Sequence, residues 1–494
     1  MTSPRRHGWL DRLERLGNHI PHPTLLFLWL CLLLLPLSAL LSWLDAVALH
    51  PTSGEFVVVN SLLSVEGIRQ MFTGAASNFT GFAPVGPVIV ALLGVGIAER
   101  SGLLGAALGA LVRRAPGMLL VPVIALAGVL SSVAVDAGYV VLIPLAGLMF
   151  QLAGRHPLAG IAAGFAAVAG GFSANLLIGP VDVILAGVTT EAARMVNPTA
   201  LITPSANYWF LLASSLLVVS VVTGVTVRWV EPWLNRRNDV IETLPGDGDQ
   251  GDRRALQHAG LALLAVVLVL TCLAWPEGGP LRSADGALLT GPLVSQSAVV
   301  IAVIAAACGI TYGRSSGSLP HARAVIESME ETLRTLASYL VLMFFAAQFV
   351  AWFAWSGMGL VLAIRGADLL ASMALPGPIL LVLVVLLMAS LNLVIGSAGA
   401  KWTLVAPVLV PMLMVLGISP EMTQAAYRVG DSGTNIITPL MPYFVLVLAF
   451  ARRHVAATGV GTLITLMLPY SLALLGGWLV LLGLWVAFDW PLGF

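Results

Sequence analysis

Within the stretch Tyr427-Arg428-Val429-Gly430-Asp431-Ser432-Gly433-Thr434-Asn435, an apolar chain carries a guanidinium, a carboxylate and an amide in quick succession. Arg428 and Asp431 stand three residues apart and share one helix face. A guanidinium is a permanent cation whose donors match a carboxylate in two-pronged fashion. A carboxylate, an amide oxygen and freed backbone carbonyls together suit a small hard cation. On that chemistry Asn392, Asp431 and Asn435, with the backbone at Gly396, are candidate Na⁺ ligands. Asn175 and Asp182 are their counterparts in the first half of the chain. Asp182 and Asp431 are alternatively proton carriers, and Arg428 and Asp431 are alternatively a structural pair within one helix. Trp402 lies beside Lys401, the chain's only lysine, and offers either an aromatic face for stacking or ordinary packing. The joint expectation is a site for an aromatic or amphipathic organic anion, moved together with a small cation.

These groups need an unusual setting. Hydrophobic residues make up 58% of the 494 residues and charged ones only 10%, with mean hydropathy +0.95. A water-soluble protein of this length would carry a more charged surface, so lipid is the expected solvent for most of the exterior. An ionisable group inside a bilayer span costs about 2.5–3.5 kcal/mol, so each one requires a reason. Net charge is zero, which leaves no basic face for nucleic acid. Cys31, Cys272 and Cys308 each sit in apolar runs without a partner at metal-ligand spacing.

Apolar segments near 24–44, 84–110, 158–189, 207–229, 257–276, 292–313, 336–362, 421–450 and 459–488 are long enough to cross a bilayer, which takes about 20 residues. The first follows Arg5, Arg6, Arg12 and Arg15 with no small-residue cleavage site, so it reads as an uncleaved helix entering from the cytoplasm. Two further stretches, 118–154 and 376–417, are apolar but interrupted by Ser131–Gly138 and Asn392–Lys401. Asp136 and Lys401 lie in those interruptions. We read both stretches as re-entrant hairpins, whose irregular tips survive at membrane depth only when buried in protein or lining a cavity. Arginines then concentrate on one side, including Arg113, Arg114, Arg155, Arg228, Arg236, Arg314, Arg452 and Arg453. The other side keeps Arg69, Arg194, Arg282 and Arg365. Positive residues favour the cytoplasm, which places the N-terminus inside and the C-terminus outside.

The two halves also resemble each other. Pro144 matches Pro407, Pro157 matches Pro420 and Asn175 matches Asn435. Each hairpin is followed by a helix expected to break, at Gly170–Asn175 and at Gly430–Asn435. Glycine and proline interruptions at matching positions of two halves point to a transporter's binding site. The expected architecture is therefore an all-α integral membrane protein with about nine transmembrane helices, two re-entrant hairpins, inverted repeats and two discontinuous helices. Its parts would be a cytoplasmic segment 1–23, a first half 24–230, a cytoplasmic loop 231–256 and a second half 257–494.

The segments Gly396-Ser397-Ala398-Gly399-Ala400-Lys401-Trp402, Tyr427–Asn435 and Ser173-Ala174-Asn175 resemble the p-aminobenzoyl-glutamate transporter (AbgT) family of the ion-transporter superfamily. The resemblance runs from the first helix to the last. It implies a homodimer in the bacterial inner membrane, a bowl-shaped cavity facing the cytoplasm, and Na⁺ or proton coupling without an enzymatic cofactor. It also implies a substrate such as p-aminobenzoyl-glutamate, or export of p-aminobenzoate-like sulfonamides. Asp182, Trp402, Pro420, Arg428, Asp431 and Pro439 are the pathway residues it suggests. Ser397 and Lys401, at the tip of the second hairpin, join them as candidates by position, with Lys401 alternatively a structural anchor of that hairpin. Two other classes compete. An ion channel would favour pore-lining rings around one axis, and an intramembrane aspartyl protease would pair Asp182 with Asp431 around a shared proton.

Overall fold

Backbone amides in hydrocarbon have no water to bond, so a chain this apolar satisfies them inside helices. The computed structural model describes residues 23–49, 55–83, 85–113, 115–133, 138–237, 241, 253–288, 291–393, 395–438, 441 and 443–494. The first half opens with α1 (Pro23–Trp43) and a short antiparallel pair, β1 (Val47–Leu49) and β2 (Phe56–Val58), with Val47 opposite Val58. Then come α2 (Val65–Thr80), α3 (Val85–Arg100) and α4 (Leu103–Arg113). The first hairpin is α5 (Leu120–Leu130) and α6 (Ile143–Leu152). α7 (Pro157–Phe165) runs on through a π turn at Ala166–Gly170, stops, and is continued after residues 171–179 by α8 (Pro180–Ala193). α9 (Tyr208–Val225), extended to Leu234, completes this half.

The second half holds α10 (Arg253–Ala274), α11 (Ser297–Ser316), α12 (Ala322–Trp355) and α13 (Met358–Ser372). Its hairpin is α14 (Gly377–Asn392) and α15 (Ala398–Val415). The broken helix that follows is α16 (Pro420–Asn435) with α17 (Phe444–His454), and α18 (Val460–Ala487) ends the fold.

Among the described residues, eight helices are long and apolar enough to span a membrane. Seven coincide with expected spans, and the eighth, α15, is an arm of the second hairpin. The other two expected spans are the discontinuous helices, whose pieces are individually too short. Three expectations need correction. The 84–110 segment bends at Gly102, whose φ of +84° is open to glycine at little cost. The 336–362 segment joins the end of α12 to the start of α13 across Gly357, at φ +73°. The second broken helix passes regularly through Gly430 and Gly433 and stops only after Asn435. Those glycines serve packing instead: a Cβ on Gly430 would lie 2.4 Å from the Val385 carbonyl of α14. The strands and α2 were not expected. Asp136 and Pro439 lie outside the described residues.

Packing repeats between the halves. α5 and α6 contact α7, as α14 and α15 contact α16. The second piece of each broken helix then crosses to the opposite hairpin, α8 against α15 and α17 against α6. Capping repeats as well. His156 caps α7 ahead of Pro157, and Ser419 caps α16 ahead of Pro420, where proline's missing N–H costs nothing. One apolar core joins both hairpins, both broken helices, α9 and α18. A second gathers α1, α12 and α13. Arg155, at the end of the first hairpin, holds Glu231 through two bonds of 2.6 and 2.7 Å.

Candidate functional site

The interrupted helices bring their polar residues together in the middle of the first core. α8 begins at Pro180, and Asp182 in its first turn bends back to the chain before it. Asp182 Oδ2 accepts from Gly179 N at 2.7 Å and from Asn175 Nδ2 at 3.0 Å. A carboxylate in a first turn also suits the positive end of the helix dipole. Asp182 Oδ1 accepts from Arg428 Nη2 at 2.7 Å, with both side chains about 1% exposed. The guanidinium of the second half is therefore held by the carboxylate of the first.

Asp431 has a different partner. Lys401 Nζ donates to Asp431 Oδ1 and to Asn392 Oδ1. Lys401 is fully buried, in the first turn of α15, where a cation opposes the helix dipole. The Asn392 amide nitrogen lies 2.6 Å from the Asp431 carbonyl, 2.9 Å from Thr434 Oγ1 and 2.9 Å from Asn435 Oδ1. Asn435 Nδ2 reaches the Ala169 carbonyl of the first half at 3.4 Å.

The i, i+3 spacing thus does not pair Arg428 with Asp431; each reaches across to another element. Nor do Asp182 and Asp431 form a shared-proton dyad, since each carboxylate is bonded to its own cation. Trp402 is fully buried, tilted against the Tyr427 ring at 4.4 Å. Its aromatic face is closed off in this conformation. Pro420 starts α16, and Ser397 caps α15 at an exposed position. Gly396 lies in the turn just before.

Several buried polar atoms here have no hydrogen-bond partner: Arg428 Nε and Nη1, Asn175 Oδ1, Asp431 Oδ2 and Ser432 Oγ. Each such atom costs about 1–3 kcal/mol. The cluster therefore keeps donors on Arg428 and acceptors on Asn175 and Asp431 that no protein group fills.

A Na⁺ ion at this place needs bare oxygens. Asn392 Oδ1 and Asp431 Oδ1 already receive the ammonium, and the Asp431 carbonyl and Asn435 Oδ1 face the Asn392 amide. With Lys401 in place, the expected ligand set does not fit the ion. Among the described residues, no group of three or more His, Cys, Asp or Glu could hold a metal.

Spacing alone missed a layer of neutral polar groups. Trp402 Nε1 donates to Thr189 Oγ1 at 2.9 Å, and that hydroxyl lies 2.6 Å from Gln424 Oε1. Gln424 Nε2 donates to Asn207 Oδ1 at 2.8 Å. The signal was present: Thr189 is seven residues after Asp182, and Gln424 four before Arg428, so each shares its neighbour's helix face. Farther along α8, Glu191 and Arg194 line a cavity of about 260 Å³ with Asn78, Met195 and Val350. The nine steps from Asp182 to Glu191 span about 13 Å of helix. Along α8, Thr189 falls between Asp182 and Glu191.

The geometry has close relatives. A family model described as the AbgT putative transporter family matches residues 8–494. The p-aminobenzoyl-glutamate transport protein of Escherichia coli (strain K12) is 34% identical over 497 residues, covering 99% of this chain and 96% of its own. The solved structure of the Alcanivorax borkumensis YdaH transporter is 57% identical with a TM-score of 0.93, covering 96% of this chain and 100% of that one. That of Neisseria gonorrhoeae MtrF, described as illuminating a class of antimetabolite efflux pumps, is 40% identical with a TM-score of 0.89 and 97% coverage of each chain.

Proposed function

We propose, because this chain belongs to the AbgT putative transporter family, that it moves p-aminobenzoyl-glutamate or a related aromatic carboxylate across the bacterial inner membrane. It is a multi-span transporter, and the proposal concerns its substrate, its drive and its cycle. The observation that carries the reading is the bond from Arg428 to Asp182. It joins the two halves, from within α16 to the first turn of α8 beside the first interruption. Both two-pronged edges of a guanidinium include Nη2, the nitrogen that Asp182 occupies. Nη2 carries two hydrogens and Asp182 takes one, while Nε and Nη1 have no partner; a substrate carboxylate that takes the edge on Asp182's side competes with it, and binding there loosens a tie between the halves. That is the coupling alternating access requires: the ligand favours one arrangement by interactions absent from the other.

In this reading Trp402, Thr189 and Gln424 form a closed layer next to the cluster. Opening would expose the indole to an aryl substrate. Pro420 at the start of α16 and Ser397 at the cap of the hairpin arm are parts of the pathway, and Pro439 is proposed with them from the sequence. Coupling to a Na⁺ or proton gradient, dimerisation, a cytoplasmic N-terminus and a periplasmic C-terminus belong to the same proposal. The relative described as an antimetabolite efflux pump favours a second cargo, the sulfonamides, which share the p-aminobenzoate shape.

The test is uptake of radiolabelled p-aminobenzoyl-glutamate and of a sulfonamide into vesicles holding the purified protein, with Na⁺ and pH gradients imposed separately. Gradient-driven movement of either compound is expected, and it should fall to background in Arg428→Ala. Movement of neither compound under any gradient would sink the substrate assignment.

A further inference from the structure

We propose that Lys401 is a tethered competitor for the coupling cation, so that its ammonium and a free Na⁺ occupy the oxygens of Asn392 and Asp431 in turn and never together. The inference rests on the transporter reading of the site and names what regulates cation entry there.

Three observations support it. The ammonium donates to Asn392 Oδ1 and Asp431 Oδ1, the hard oxygens a small cation would seek. Asp431 Oδ2, on the same carboxylate, is left buried and without a partner, as is Asn175 Oδ1 in the first half. A group that takes the side-chain oxygens of both Asn392 and Asp431 is a good stand-in for an ion of the same charge.

Charge closes the argument. The cluster holds Asp182 and Asp431 against Arg428 and Lys401, and all four are about 1% exposed or less. Two negative and two positive charges balance. Adding Na⁺ beside the ammonium would leave one buried positive charge uncompensated, which a low-dielectric interior opposes strongly. Exchange of one cation for the other keeps the balance only if Lys401 leaves with its charge. Its position allows this. Lys401 sits in the first turn of α15, just after the cap at Ser397, where its charge works against the helix dipole. Local physics therefore favours its departure, and the bonds to Asp431 and Asn392 hold it back.

The test is Na⁺ titration of the purified protein in detergent, at constant ionic strength against choline. Thermal unfolding and tryptophan fluorescence are the readouts, since Trp402 neighbours the site. Lys401→Met removes the ammonium, and Lys401→Gln removes the charge while keeping a polar end. The wild type should respond weakly or not at all. Either variant should show saturable stabilisation with half-saturation at least about tenfold lower in Na⁺, since removal of a competing cation restores the intrinsic affinity. Half-saturation equal to or higher than that of the wild type would overturn the proposal, as would no Na⁺ response in any of the three proteins. If one variant does not fold, the other carries the comparison. Wild-type vesicle uptake is scored separately. Transport with unchanged Na⁺ affinity in the variants fails this inference alone, whereas loss of the substrate assignment leaves the titration readable.

Discussion

Removing one member of a buried ion pair strands the other charge in a low dielectric, at a cost of about 3–5 kcal/mol, whereas replacing both by apolar groups is often neutral. That asymmetry separates structure from function at Asp182 and Arg428. Asp182→Leu and Arg428→Met are each expected to lower the unfolding temperature in detergent, while the double variant recovers much of the loss. None of the three should transport. A double variant as unstable as the worse single would show that the pair's surroundings, and not its charge balance, set stability. Transport by the double variant would remove both residues from the pathway. The residue types at this site were legible in the sequence, because ionisable groups in apolar runs are few. Their pairing was not. Arg428 and Asp182 are 246 positions apart, and no local spacing encodes a bond between two elements that meet only after folding. The i, i+3 neighbour was the visible partner, and the fold chose others.

At the scale of elements, the hairpins and broken helices were readable from proline, glycine and the recurrence between halves. The second break was misplaced because a glycine in a membrane helix has two uses, to interrupt the helix or to let another backbone come close. Gly430 serves the second, against α14. Gly160 serves it in the first half, where a Cβ would lie 2.3 Å from the Ala146 carbonyl of α6. Both glycines seat a hairpin on the broken helix that follows it. Gly430→Ala and Gly160→Ala should therefore push hairpin and helix apart and destabilise by about 1–3 kcal/mol, the usual cost of overpacking. Gly224→Ala is the control, since nothing lies within 4 Å of its Cβ position. Unfolding temperatures of the three, compared in one detergent, check this. Equal values would mean that the close approach is relaxed at no cost.

Across the whole molecule, two halves exchange their broken-helix pieces, so neither binding surface is complete within one half. Asn435 bonds to Ala169, Arg428 to Asp182, and Trp402 to Thr189. A rearrangement of one half against the other must break such contacts, and the charged cluster is where that motion would be felt. The chain contains a single lysine, and its side chain is completely buried. An amine-reactive ester applied from water therefore has one internal target, which it reaches only when the cluster opens. Mass spectrometry of the Lys401 peptide should find slow acylation in the resting protein and faster acylation when p-aminobenzoyl-glutamate, the proposed substrate, is added. Rapid acylation at rest would show that the cluster is already wet. The chain thus has its own clock for opening, with no engineered cysteine or attached dye needed to read it.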